Sequence, residues 1–451
     1  MTSCPQAVYE VTLETPLGVT RGFSADCLPP SWFDKADKPF AQQIDEMLMV
    51  IQWAETNFKE TMKQPNELFN AWQSVYQTTH QQTYFAGLPS LLAAFGISVV
   101  ERAIIDGICR ASGLTLHQAL RENVIGIDAS TVHSALPTLP KNWLPESPAD
   151  SVFVRHTVGL GDPLTEAELN NPPNERLNDG FPETLEQYID GTGTQYFKVK
   201  VSNRLDHDIA RLVTIAKLIE TKRSSDYTVT LDGNELYETA AQFDELVDQI
   251  ETHPLLKTFW SNTLLIEQPL NREIALSAEH TAGIKALSER KIVIIDESDG
   301  TVDDFPNAVE LGYRGVSSKN CKGPIKSILN AGLVWLNNAE PTRPRQVLTG
   351  EDLCTVGIIP TQSDLALVAA LGITHVERNG HHYHPGLNYL SEIERQEALQ
   401  KHGDLYTTHA GRVTPRVADG KFQIGTLQCP GYGFAVEPNF EAMQSPSEFV
   451  L

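Results

Sequence analysis

The run "YFKVKV" at residues 196–201 alternates lysine with aromatic and aliphatic side chains. Successive side chains of a strand point to opposite faces. Lys198 and Lys200 therefore share one face, and Phe197, Val199 and Val201 share the other. A half-exposed strand of an open sheet would carry this pattern with no function attached. The runs on either side decide between that reading and a buried, charged one.

After about residue 150, short β-branched runs recur at a coarse regular spacing. They read "SVFVRHTVG" (151–159), "YFKVKV" (196–201), "YTVTLDGNE" (227–235), "TLLIEQP" (263–269), "KIVIIDES" (291–298), "YRGVSSK" (313–319), "RQVLTGED" (345–352) and "ITHVERNG" (373–380). Each ends in polar or turn residues, as strands do. Helical patterns lie between them. Ile209, Leu212, Val213, Ala216 and Ile219 mark one face of such a segment, and Phe243, Leu246, Val247 and Ile250 mark another. Eight strands alternating with helices predict an α/β fold with a parallel sheet closed into a (β/α)8-type barrel. An open doubly wound sheet is the main rival, and no glycine fingerprint follows the first strand to support it.

The rhythm is absent before residue 146. "YEVTLETPLGVTRGFS" predicts a strand pair. "LLAAFGISVVERAIIDGICRASGL" predicts a helix with Val99, Val100, Ala103, Ile104 and Ile108 on one side and Gly113 as its C-cap. The expected division is an α+β domain over residues 1–145, the barrel over 146–395, and a C-terminal segment over 396–451. Residues 160–195 read as a long polar excursion after the first barrel strand.

Chemistry in such barrels gathers at the C-terminal ends of the strands. Strand two ends with Lys198 and Lys200, strand three with Asp232, strand four with Glu267, strand five with Asp296 and strand six with Lys319. From Lys200 onward the gaps are 32, 35, 29 and 23 residues, each about one βα unit. The six groups should converge on one mouth. Three neighbouring carboxylates would raise one another's pKa values unless a cation joined them. Oxygen-only ligands suit Mg²⁺ better than Zn²⁺. Flanking lysines are candidates for acid–base work, with a useful pKa of roughly 7–8 against an ordinary value of about 10.4. A metal on a substrate carboxylate would stabilise the enediolate left when a proton leaves the adjacent carbon.

The composition excludes several partners. With 35 basic against 58 acidic residues the formal charge is −23, which repels nucleic acid and anionic lipid. No stretch approaches the roughly 20 apolar residues of a membrane span, and no basic segment followed by an apolar run opens the chain. The six cysteines are scattered, with no CxxC pair. A reduced, cytoplasmic protein is expected.

The motifs "KVK", "DGNE", "IEQP", "IDES" and "SSKNCKG" resemble the enolase superfamily in order and spacing, over roughly residues 90–390. The resemblance implies a (β/α)7β TIM-like barrel under an N-terminal α+β capping domain, with the C-terminal segment returning to the cap. It implies Mg²⁺ on Asp232, Glu267 and Asp296. Lys200 and Lys319 would face each other across the substrate as acid and base. Lys198 would bear on the substrate carboxylate and depress the pKa of Lys200. A lysine on strand six resembles the muconate-lactonizing subgroup. The mandelate-racemase subgroup uses a histidine at the end of strand seven, and "LTGEDLC" has none there. Gly323-Pro324 stands where the family often shows two glycines. Family members are commonly oligomeric, so a homo-oligomer acting on a small carboxylate is implied.

Asn234, Lys322, Glu351, Arg378, Asn379, His381 and His382 are candidate substrate contacts, against the plainer reading of loop packing. His381 and His382 also invite a zinc reading, but adjacent residues diverge on a strand and no cysteine is expected close by. Racemisation or epimerisation, cycloisomerisation and β-elimination of water all remain open, as does the choice of base. A Schiff-base aldolase also carries a lysine inside a barrel, and a non-catalytic relative would keep the fold alone.

Overall fold

The computed structural model describes residues 4–169, 176–446 and Phe449. Residues 170–175 of the polar excursion lie outside the described residues, as do 447–448 and 450–451 of the tail. Among the described residues no helix is long and apolar enough to cross a membrane.

The chain opens with an antiparallel hairpin, β1 (Gln6–Thr15) and β2 (Gly18–Cys27). Helices Phe40–Thr61, Leu68–Phe85 and Ser90–Ser112 pack on one another and on this hairpin. Helix Ser90–Ser112 ends on Gly113 in the left-handed conformation (φ +67°), as the sequence predicts. It is buried almost all round, however, because it is sandwiched between the hairpin and the barrel. Contact with the hairpin is close: a Cβ on Gly22 would meet Ala103 O at 2.0 Å.

The eight expected barrel strands form. They are β3 (Ser151–Val158), β4 (Tyr196–Lys200), β5 (Thr228–Asp232), β6 (Thr263–Glu267), β7 (Ile292–Ile294), β8 (Gly315–Ser318), β9 (Val347–Gly350) and β10 (His375–Arg378). All pair in parallel, in the order β7-β6-β5-β4-β3-β10-β9-β8. A parallel bridge between Ile295 and Val316 joins β7 to β8 and closes the ring. Helices Leu185–Thr192, Leu205–Arg223, Ala240–Thr252, Thr281–Arg290, Asp304–Leu311, Pro324–Asn338 and Ile358–Ala370 fill the seven intervals. No long helix follows β10 before Glu392–Lys401, so the barrel is (β/α)7β. The open-sheet rival is excluded by the closure.

The outward strand residues Phe197, Val199, Val229, Leu231, Ile266 and Val293 join Leu212, Ile215, Phe243, Leu246 and Ile250 of the helices in one apolar cluster. Burying each such side chain contributes about 1.5–3 kcal/mol. The C-terminal segment adds the hairpin β11 (Tyr406–His409) and β12 (Arg412–Pro415), then β13 (Lys421–Gln423), which pairs antiparallel with the start of β3. It then reaches the cap, where Tyr432 N–H donates to Asp106 at 2.7 Å and Arg110 donates to Phe434 O at 3.0 Å.

Candidate active site

Barrel interiors are usually filled by branched aliphatic side chains. Here the lower end holds the stacked rings of Phe153, Tyr196 and His375, and the layers above are charged. Lys200 pairs in register with Asp232, Asp232 with Glu267, and Glu267 with Ile294. Asp296, two residues beyond Ile294, faces the same way. The register sets these groups side by side at the strand ends, as the spacing in sequence requires.

Lys198 is buried at the centre. Its Nζ lies 2.7 Å from Glu267, 3.0 Å from Glu351, 3.0 Å from Glu377 and 3.3 Å from Asp232. Burial alone would favour the neutral amine, but these four carboxylates override it and hold Lys198 well above the usual lysine range. Its charge is neutralised by protein carboxylates, where the resemblance implied that a substrate carboxylate would meet it. Arg155 of β3 supports Glu351 from below, and Thr157 donates to Glu377 at 2.6 Å.

Lys200 is half-buried, 2.5 Å from Asn234 Oδ1 and 3.7 Å from Asp232. Lys319 follows β8 on the far side. Its Nζ is 2.7 Å from Asp296 and 4.6 Å above the Trp32 ring, which the cap contributes. Burial would lower Lys319, but Asp296 raises it above the ordinary range. The expectation of amines depressed toward neutrality is thus corrected for Lys198 and Lys319: their carboxylate partners outweigh desolvation. Trp32 also donates to Glu297 at 3.2 Å, and its carbonyl accepts from Arg272 at 2.8 Å.

The candidate substrate contacts divide. Lys322 is fully buried, between Asp296 and Asp299 (3.3 and 3.2 Å) with Ser317 Oγ at 2.8 Å. It braces the loop and does not open to the mouth. Arg378 faces the helix layer, 2.7 Å from Asp364 and 3.7 Å from Asp352. Alternation along β10 sends its neighbour Glu377 inward instead. Glu351 lies inside the barrel, shared by Lys198, Arg155 and Thr349. Asn234 stays beside Lys200. Asn379 N–H points to Asp352 at 3.4 Å. His381 is exposed and edge-on to His382, and both lie on the short helix Gly380–Tyr383. His382 Nδ1 is 3.4 Å from Asp352, and its Nε2 is 3.6 Å from Cys354 Sγ. A cysteine is therefore close after all, brought in by the strand-seven loop. Burial would lower His382, but Asp352 and Cys354 lift it to about 10.

Asp232, Glu267 and Asp296 offer the hard oxygen donors that Mg²⁺ takes. Glu267 Oε2 is buried with no hydrogen-bond partner among the described residues. Burial and the Glu351 charge push Glu267 well above the carboxylate range. That surplus of negative charge is what a divalent cation relieves, so the donor set fits one. As the side chains stand, no three His, Cys, Asp or Glu groups among the described residues converge tightly enough to hold an ion. Lys198 bridges Asp232 and Glu267, while Lys319 and Lys322 hold Asp296.

Glu377, Arg155 and Trp32 escaped the sequence reading. Alternation on "HVER" does not by itself say which parity faces inward, and nothing in the sequence singled out Trp32 among the four tryptophans of residues 1–145.

No protein-family model and no curated protein matches the chain. Solved structures do match over nearly its full length. A racemase from Streptomyces coelicolor A3(2) with bound magnesium is 15% identical, with a TM-score of 0.57 over 97% of this chain and 90% of that one. The muconate lactonizing enzyme of Pseudomonas putida is 15% identical (TM-score 0.55; 96% and 92% covered). A dipeptide epimerase from Enterococcus faecalis V583, complexed with Mg and the dipeptide L-Leu-L-Tyr, is 15% identical (TM-score 0.54; 95% and 98% covered). The class defined is a capped (β/α)7β barrel. Within it, the chain is similar in fold to structures described as mandelate racemase/muconate lactonizing enzymes, at 14–17% identity.

Proposed function

We propose that the chain is an enzyme that removes the proton α to a substrate carboxylate, in a racemase/epimerase, cycloisomerase or dehydratase reaction. One observation carries this. In the closed ring β4 and β8 are diametrically opposite, so Lys200 and Lys319 approach the mouth from opposite sides. Asp232, Glu267 and Asp296 come from the three strands between them. Mg²⁺ on those three groups would supply positive charge against the carboxylate of a carbon acid and its enediolate.

The remaining roles belong to the chain itself. Lys319, held protonated by Asp296, is set up to donate a proton. Lys200, the less buried amine, with Asn234 beside it, is the group open to exchange a proton with the substrate's other face. Lys198 keeps Glu267, Glu351 and Glu377 together. The Trp32 ring, lying over Lys319, shields that side from water. A Schiff-base role needs a neutral buried amine, and Lys198 is fixed as an ammonium by four carboxylates.

The test is solvent-deuterium incorporation at the α-carbon across a panel of carboxylates that includes dipeptides. Wild-type protein is expected to exchange with Mg²⁺ and to stop with EDTA. Lys200→Ala and Lys319→Ala should each lose about 10²–10⁴-fold of exchange, each for the proton on its own face. Exchange untouched by both substitutions, or EDTA-insensitive borohydride trapping of a carbonyl substrate, would rule the reading out.

A further inference from the structure

The cap reaches the mouth through a very short element. Helix Pro30–Phe33 has four residues and no side-chain N-cap, and it carries Trp32. One helical turn does not hold itself, because nucleation costs more than a single turn returns. Phe33 fixes its inner side, buried against Phe95 with ring centroids 4.8 Å apart. Trp32 is half-buried and is held from the barrel instead. Its indole N–H donates to Glu297 at 3.2 Å, and its carbonyl accepts from Arg272 Nη1 at 2.8 Å. The same nitrogen reaches Phe33 O at 3.4 Å.

Arg272 lies in the loop after β6 and is itself anchored. Its Nε and Nη2 grip the two carboxylate oxygens of Glu235 at 2.5 and 2.7 Å, and its backbone N–H donates to Glu235 at 3.2 Å. Both side chains are at least nine-tenths buried. Two-point pairing fixes the plane of a guanidinium, which leaves Nη1 for the cap. Glu235 comes from the loop after β5, where it and Asn234 both take the left-handed backbone, at φ +63° and +51°. Asparagine tolerates that region, but a glutamate is uncommon there. The turn sends Asn234 to Lys200 (2.5 Å) and Glu235 to Arg272. Consecutive residues thus serve the two lysines across the mouth. Asn234 does so directly, and Glu235 through Arg272 and Trp32, whose ring lies 4.6 Å from Lys319 Nζ.

We propose that Arg272, clamped by Glu235, is a positioning residue that sets Trp32 over Lys319 and so holds the Lys319 ammonium in place at the mouth. An ammonium over an indole face is attracted by the ring's quadrupole. Asp296, the other group on Lys319, also holds Lys322 at 3.3 Å. Loss of Arg272 deletes neither contact of Lys319; it frees the carbonyl of Trp32 and lets the ring leave. This role presupposes the part given to Lys319 in the proposed reaction, but the clamp can be read without a substrate.

Two measurements on the folded full-length protein do so: acrylamide quenching of tryptophan fluorescence, and trace acetylation of lysines with acetic anhydride followed by mass spectrometry. Arg272→Met is expected to increase quenching, and the increase should be absent in a Trp32→Phe background. Acetylation of Lys319 should rise about tenfold, the order of change that losing a hydrogen bond to a charged group brings, with Lys200 unchanged. Glu235→Gln should reproduce both effects. Arg272→Lys, which cannot grip two oxygens and reach a carbonyl together, should give intermediate values, and it decides the matter by the same readouts where Arg272→Met does not fold. Unchanged quenching and Lys319 labelling would overturn the proposal, as would an equal rise at Lys200 and Lys319, the mark of a loosened fold. On a carboxylate that wild-type protein exchanges, Arg272→Met should slow exchange on the Lys319 face and spare the Lys200 face; equal slowing of both counts against the clamp. If no carboxylate is exchanged, the proposed reaction falls, while quenching and labelling still decide the clamp.

Discussion

Lys198 answers the question its strand raises. A buried ammonium is costly unless it is paired, and this one is matched by carboxylates from β5, β6, β10 and the loop after β9. Removing one partner from such a cluster typically costs about 3–5 kcal/mol, because the remaining charges are left buried and uncompensated. Lys198→Met should therefore lower the urea midpoint by an amount equivalent to about 3–5 kcal/mol. Adding Glu377→Gln should recover part of that loss, since it removes one of the exposed repulsions. A single variant as stable as wild type would mean that Lys198 does not hold the carboxylates together. Glu377 also marks the limit of reading residues from sequence. On "HVER" either parity could face inward, and only pairing with β3 sets Glu377 toward Thr157 and Arg378 toward Asp364. Lys198 and Lys200 were legible because hydrophobic residues fill the opposite parity of their strand. Strand eight offers no such contrast.

Among the elements, strands and amphipathic helices of the barrel were legible because each repeats a simple period. Helix Ser90–Ser112 was legible as a helix but not in its surroundings. Its polar residues are buried, each satisfied by a distant segment: Arg102 by Asp26, Asp106 by the backbone of Phe23 and Tyr432, Ser98 by Asn320 O. No local pattern announces such partners. Glu101 is the exception within this set. Its Oε1 accepts from Ile325 N–H at 3.4 Å at the start of helix Pro324–Asn338, while Oε2 has no partner among the described residues. Burial raises its pKa from 4.5 to about 7. Between those values the folded protein binds a proton that the unfolded chain does not. The stabilisation is full below about 4.5 and is lost as pH rises to about 7, by about 3 kcal/mol in all. Glu101→Gln should remove this slope. Urea unfolding at pH 5 and pH 8 is then expected to show the variant gaining on wild type by up to about 3 kcal/mol at the higher pH. An equal difference at both pH values would mean Glu101 does not titrate in this window.

At the scale of the whole molecule, ring closure does what no single strand can. It sets two lysines across the mouth and lets the cap close over one of them through Trp32. The same closure concentrates acidic groups, and Glu267 carries the excess. A ligand that binds the folded state alone stabilises it by RT ln(1 + [L]/Kd), about 2.7 kcal/mol at a hundred times Kd. Thermal unfolding should therefore shift upward with Mg²⁺ concentration, with no substrate present. The shift will be smaller than the bare electrostatics suggest, because Lys198 and Lys319 must give up carboxylate oxygens they now hold. Glu267→Gln and Asp296→Asn should each abolish the dependence on Mg²⁺. A wild-type melting temperature that ignores millimolar Mg²⁺ would separate the fold from the metal chemistry of the structures it resembles.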